Sequence, residues 1–290
     1  MSGESLPKTY IFGAGAMGKG MLPYVQKDFH VLAFLDNDTE KQGGTFQDVP
    51  ILAPSEIAGA SFDVVFVASQ AGAKSATEQL LNLGVQKEQI RTDYVAFSIR
   101  SRVVFLNNLG EIFLERGTSG CAAECGVFMG EFASEINRVF PESKLYLFDT
   151  FTGFDERDLE MERSLVPKNG GVQYSDFKAG HFNVTKEDVV LGNMPHPDKC
   201  VIRKGYFPET AEGIDETFCF VNLDFDLYKP TLAGLEYFYP RMVKGGVILI
   251  HDYFSTSCKG VRRAVKEFED RIGNLHVFPI GDGLSVFFQC

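Results

Sequence analysis

Asp224 and Asp252 are the residues whose types and spacing most directly suggest chemistry. Asp224 closes the apolar run FCFVNL and Asp252 follows VILIH, 28 residues later. Both positions read as carboxyl-terminal tips of neighbouring strands in a parallel sheet, where strands lie about 4.8 Å apart. Two carboxylates that close repel each other unless something positive lies between them, and a hard divalent cation suits the place.

Two glycine turns are candidates for holding the other reactants. GAGAMG at residues 13–18 lies between a strand and a helix, and Asp36 ends the next strand about 20 residues on. Gly13, Gly15 and Gly18 let a phosphate approach the backbone at a helix terminus, while Asp36 can accept hydrogen bonds from ribose hydroxyls. The same glycines also fit a fold that has kept the turn without the ligand. In ECGVFMG, Glu124 stands at a strand end and Gly126 and Gly130 lead into a helix. In methyltransferases this kind of turn receives the amino acid part of S-adenosylmethionine, whose ammonium is drawn to carboxylate or carbonyl oxygens. Asp149 ends the next strand, 23 residues after Gly126, as a ribose acceptor or as a solvated strand-end acid.

The elements that must position these residues alternate along the chain. Strands are expected at residues 8–15, 30–36 and 62–69, with helices at 16–27 and 73–83. The alternation fades between residues 91 and 101, which places a domain boundary near residue 98 and a new helix through Phe105, Leu109, Ile112 and Phe113. Beyond it, strands are expected at 121–126, 144–149, 200–204, 218–223 and 246–250, with helices at 131–140, 231–239 and 259–271. The runs 275–280 and 284–289, joined by GDG, read as an antiparallel hairpin. The expectation is an α/β chain of two doubly wound domains, 1–98 and 99–290, the second in the strand order of class I methyltransferases. Residues 155–199 form an irregular connection of unusual length, carrying Arg163, Tyr174, Phe177, His181, Phe182 and His196, and read as a substrate-recognition platform.

Composition narrows the partners. With 28 basic and 39 acidic residues the formal charge is −11, which disfavours nucleic acid and anionic membranes. No run is long enough to cross a bilayer and no leader pattern opens the chain, so a cytoplasmic protein is expected. The six cysteines show no CxxC or zinc spacing and read as reduced small hydrophobes.

GVFMGEFASEI, LYLFDTFTGF, KGYFPET, LDFDLYKPT, YPRMVKGGVILIHDYF and GVRRAVKEF, in that order, resemble the macrocin-type (TylF-like) sugar O-methyltransferases over residues 103–288. The resemblance implies transfer of a methyl group from S-adenosylmethionine to a sugar hydroxyl with a magnesium ion. It also implies that Glu124, Gly126, Gly130 and Asp149 bind the donor and that Asp224 and Asp252 bind the metal, Asp224 also as base. Where those relatives often carry two adjacent aspartates, this chain has His251 and Asp252. Either His251 is a softer third ligand, shifting preference towards manganese or iron, or Asp226 or water completes the shell.

The first domain, through FLDND, Gly44, VPIL and PSEI, resembles the Rossmann-like domains associated with nucleotide sugars, which implies a nucleotide or nucleotide-sugar ligand at Gly13, Gly15, Gly18 and Asp36. The competing reading is an NAD-dependent oxidoreductase or epimerase, or a nucleotide-sugar-binding module, built on that turn. The expected partner is a small sugar-containing acceptor, with a homo-oligomer compatible with the sequence.

Overall fold

Apolar runs too short for helices, each closed by glycine or an acid, become the central strands of two sheets. The computed structural model describes residues 6–68, 73–164, 178–255, 258–273 and 275–290. By contact density the chain divides into the units Met1–Arg100 and Ser101–Cys290.

The first unit contains β1 (Lys8–Phe12), α1 (Ala16–Asp28), β2 (His30–Leu35), β3 (Thr45–Phe46), β4 (Val49–Leu52), β5 (Val64–Val67), α2 (Ala73–Asn82) and β6 (Ile90–Arg91). Its sheet order is β3-β4-β2-β1-β5-β6, parallel except for the β3–β4 pair. β1 is apolar at consecutive positions because both sheet faces are covered. Ile11 packs with Phe34 on one side, while Tyr10 and Phe12 pack with Leu35 and Val65 on the other. Ser69, expected at the end of the third strand, lies outside the described residues.

The helix α3 (Asp93–Arg116) starts earlier than the apolar period suggests, because Ser98, Arg100, Ser101 and Arg102 interrupt that period in its first turns. The second unit continues with β7 (Cys121–Cys125), α4 (Glu131–Val139), β8 (Leu145–Asp149), α5 (Glu156–Ser164), α6 (Glu187–Gly192), β9 (Cys200–Lys204) and β10 (Phe218–Leu223). It ends with α7 (Tyr228–Phe238), β11 (Met242–Ile250), α8 (Lys259–Ile272), β12 (Phe278–Pro279) and β13 (Val286–Gln289). The sheet order is β12-β13-β11-β10-β7-β8-β9, with β9 through β11 parallel and β13 antiparallel to both neighbours. This is the doubly wound class I methyltransferase fold with its terminal hairpin. Core side chains cover both faces, among them Phe148, Phe218 and Phe238 on one and Leu147, Phe220 and Leu249 on the other.

The connection at 155–199 corrects the expectation of an irregular stretch, since it contains α5 and α6. α5 escaped the apolar pattern because its buried residues are Asp158, Leu159 and Glu162. Tyr174 and Phe177 lie outside the described residues.

Candidate active site

In each sheet the strand order reverses beside the first strand, between β1 and β5 and between β7 and β10. Doubly wound folds bind ligands in the crevice at that switch point. In the second unit the turn after β7 fills it. Gly126 has φ +86°, and a Cβ there would lie 2.1 Å from the Asp224 carbonyl oxygen, so only glycine lets the turn pass under the β10 tip. Asp149 organises this turn: its Oδ2 accepts hydrogen bonds from Val127 N (2.8 Å) and Phe128 N (3.1 Å), and its Oδ1 from Phe151 N (2.7 Å). A carboxylate offers about four lone-pair directions, so capacity remains for a further donor such as a ribose hydroxyl.

Beneath the turn, Glu124 and Asn222 are register partners on β7 and β10 and share a sheet face. They are 2% and 0% exposed, and although the two side chains face each other, Glu124 Oε2 and both amide atoms of Asn222 make no well-aligned hydrogen bond among the described residues. Burial first, then the negative charge of Asp224, pushes the Glu124 carboxyl well above its usual range. Arg102 of α3 approaches the same place, with Nη1 3.3 Å from Asp224 Oδ2 and its guanidinium 4.0 Å from the Phe132 ring centroid.

The β10 and β11 tips bring Asp224, His251 and Asp252 together, with one ligand atom from each within 4.8 Å of the others. A second group, Asp226, Asp252 and Cys258, meets the same spacing. Asp226 (φ +63°) and Asp252 (φ +58°) both take left-handed backbone, a strained conformation that turns their carboxylates at these tips. Burial, with the charges of Asp252 and Asp224, pushes Asp226 well above the usual carboxylate range. For Asp252 burial also acts upward, but the His251 ring and the Asp226 hydrogen bond outweigh it and hold the group low. His251 Nδ1 lies 2.9 Å from Ser285 Oγ, which in turn donates to Asp282 Oδ2 at 2.5 Å. Because the serine proton goes to the carboxylate, Oγ is placed to accept from Nδ1–H.

In the first unit, Asp36 plays the part that Asp149 plays in the second. Its Oδ2 accepts from Ala14 N (2.7 Å) and its Oδ1 from Asp38 N (2.9 Å). A Cβ on Gly18 would lie 1.8 Å from the Gly13 carbonyl oxygen, whereas one on Gly15 would meet nothing within 4 Å. Gly18 therefore serves helix packing, and a Cβ on Gly15 meets no other described residue at the α1 terminus.

The macrocin O-methyltransferase (TylF) family profile matches residues 100–289, and the profile "C2185-like, N-terminal" matches residues 5–91. The chain belongs to the macrocin O-methyltransferase family. It is 29% identical over 182 residues to mycinamicin III 3''-O-methyltransferase of Micromonospora griseorubida, covering 58% of this chain and 68% of the relative. Over 192 residues it is 27% identical to the 8-demethyl-8-(2,3-dimethoxy-alpha-L-rhamnosyl)-tetracenomycin-C 4'-O-methyltransferase of Streptomyces olivaceus, covering 62% and 69%. The solved O-methyltransferase NovP shares the fold, with TM-score 0.52 and 22% identity over 65% of this chain and 79% of that one.

As a member of this family the chain is an S-adenosylmethionine-dependent O-methyltransferase. The unsatisfied Glu124 Oε2 and Asn222 amide, buried beside the glycine turn, fit a donor that brings its own ammonium. Two carboxylates and an imidazole whose Nδ1 is engaged by Ser285 likewise fit a divalent cation of the magnesium or manganese type. Arg102, Asn222, Cys258, Asp282 and Ser285 were not legible as site residues. GDG signalled a turn, yet nothing in that signal placed Asp282 behind a histidine 31 positions earlier. No helix among the described residues is long and apolar enough to cross a membrane.

Proposed function

We propose that the second unit methylates a hydroxyl of a sugar or sugar-bearing metabolite with the help of a divalent cation. The convergence of Asp224, His251 and Asp252 beside the donor turn carries this reading. Asp224, Asp252 and His251 would hold the cation, which would lower the proton affinity of the acceptor hydroxyl. Asp224 takes the hydroxyl proton as the oxygen attacks the sulfonium methyl, and Arg102 keeps that carboxylate oriented. Glu124 and Asn222 meet the donor ammonium, and Asp149 meets the ribose while bracing the turn. A sugar acceptor is supported by the relative named for a rhamnosyl 4'-O-methyl transfer. It is supported also by exposed rings on the donor turn's rim: Phe128 lies 5.4 Å from Phe182, which stacks on His181 at 4.3 Å.

The experiment is methyl transfer to a panel of nucleotide-linked and natural-product-linked sugars, followed by mass spectrometry. Chelation should abolish product and Mg2+ or Mn2+ restore it. Full turnover by metal-stripped enzyme on a competent acceptor would refute the cation's role.

For the first unit we propose a nucleotide or nucleotide-sugar ligand whose phosphate lies against Gly13 and Gly15 and whose ribose reaches Asp36. The reading is supported by Asp36, which bonds Ala14 N of the glycine turn (2.7 Å) at the sheet's switch point. A nucleotide library that produced no thermal shift of the intact chain would count against it.

A further inference from the structure

Helices α7 and α8 follow the two acidic tips, and each begins without a side-chain cap of its own and without an acid in its first turn. The missing cap comes from elsewhere. Glu162 of α5, 5% exposed, accepts from Tyr228 N through Oε2 (3.0 Å) and from Gly260 N through Oε1 (3.2 Å). Tyr228 is the first residue of α7 and Gly260 the second of α8. One carboxylate thus satisfies orphan amides at two helix N-termini, where the helix dipoles also favour negative charge. The fit is close: a Cβ on Gly260 would lie 2.4 Å and 2.5 Å from the two Glu162 oxygens and 2.7 Å from Tyr228 N.

These capped residues stand directly behind the chemistry. Tyr228 is two positions after Asp226, and Gly260 two after Cys258, so the loops carrying Asp224, Asp226, Asp252 and Cys258 are anchored at their far ends by the same side chain. We infer that Glu162 is a positioning residue, a shared N-cap that fixes the spacing of the β10 and β11 tips and so the geometry of their carboxylates. This rests on the reading of those tips as a cation site. It gives the insertion between β8 and β9 a second task besides meeting the acceptor, since α5 braces the acidic tips from behind.

The test compares full-length wild type, E162Q, G260A and D158N. Each is titrated with Mn2+ by electron paramagnetic resonance and with S-adenosylhomocysteine by calorimetry, with urea unfolding alongside. Asp158 is the control: it lies on the same buried face of α5 and meets Tyr206 OH (2.7 Å) and the Lys229 ammonium (3.8 Å), but it caps neither helix amide. E162Q keeps the shape but turns an NH2 towards one of the two amides, and G260A pushes the carboxylate away without altering it. Both should weaken Mn2+ binding about tenfold, the lower end for outer-shell changes, with product affinity unchanged. D158N should lower stability and leave Mn2+ affinity intact. Unaltered Mn2+ affinity in E162Q, or equal losses of Mn2+ and product binding, would overturn the inference. If wild type itself binds no Mn2+, the cation reading falls and this inference with it.

Discussion

Replacing Ser285 by Ala tests whether the histidine at the acidic tips is held in a ligating form. Ser285 and Asp282 are 1% and 3% exposed, so water cannot readily replace the missing hydroxyl. Asp282 would keep its bonds from Leu284 N (2.9 Å) and Ser285 N (2.7 Å), and the hairpin should stay closed. What is lost is the Oγ bond to a carboxylate and the acceptor for His251 Nδ1–H. Removing a buried charge-assisted hydrogen bond costs about 1.5 to 3 kcal/mol of folding stability. Losing the partner that orients a metal-ligating histidine weakens metal binding about 10- to 100-fold, or about 1.4 to 2.7 kcal/mol. Mn2+ titration of S285A should therefore show a weakened Kd. Saturating metal should restore most of kcat, because Asp224 and Asp252 are untouched. Nuclear magnetic resonance of isotope-labelled histidine provides a readout free of metal: His251 should be protonated on Nδ1 in wild type and lose that preference in S285A. An Nε2-protonated ring in wild type, or an unchanged Mn2+ Kd in the variant, would refute the reasoning.

Three further outcomes follow from the two glycine turns. Asp149→Ala removes the acceptor of three backbone amides and the proposed ribose contact, so product affinity measured by calorimetry should fall by about 1.5 to 3 kcal/mol; an unchanged value would remove Asp149 from the donor site. For Glu124 the folded chain holds the proton above the usual carboxyl range while the unfolded chain releases it, so this group's contribution to stability falls as pH rises from about 4.5 upward. Glu124→Gln should flatten that slope in urea unfolding and stabilise the ligand-free chain at neutral pH, while weakening product binding, and parallel slopes for variant and wild type would refute it. Gly15→Val should leave the first unit folded and abolish nucleotide-induced thermal shifts, whereas Gly18→Val, which forces a Cβ to 1.8 Å from the Gly13 carbonyl oxygen, should prevent its folding; a retained shift in Gly15→Val would move the ligand elsewhere.

What the sequence made legible were features that a parallel sheet fixes locally. A strand followed by a glycine turn and a helix has one place in a doubly wound fold, so Gly13, Gly126, Asp36, Asp149, Asp224 and Asp252 read as residues at strand tips before any coordinates. His251 beside Asp252 was legible for the same reason, being the first residue past the strand. The short edge strands β3 and β6 were not, because two residues carry no period. The helix α3 began earlier than expected where polar residues break its apolar spacing.

The residues that were missed support the tips from elements distant in sequence, and there the reasons differ. Arg102 meets Asp224 across 122 positions, and an arginine in a helix reads as a solvated face until its 3.3 Å contact is seen. Glu162 is harder still, because burial is normally inferred from apolar periodicity, and the face of α5 that enters the protein is built around two carboxylates. Those carboxylates can be buried because helix N-termini, a tyrosine hydroxyl and the Lys229 ammonium supply what water would otherwise give. Such a helix has no hydrophobic signature to detect, and its sequence, ERDLEMERS, reads as surface. The insertion therefore looked like a loop because its anchoring is polar. Residues that carry chemistry at strand tips announce themselves by position, whereas residues that hold those tips in place do so only through partners that the fold supplies.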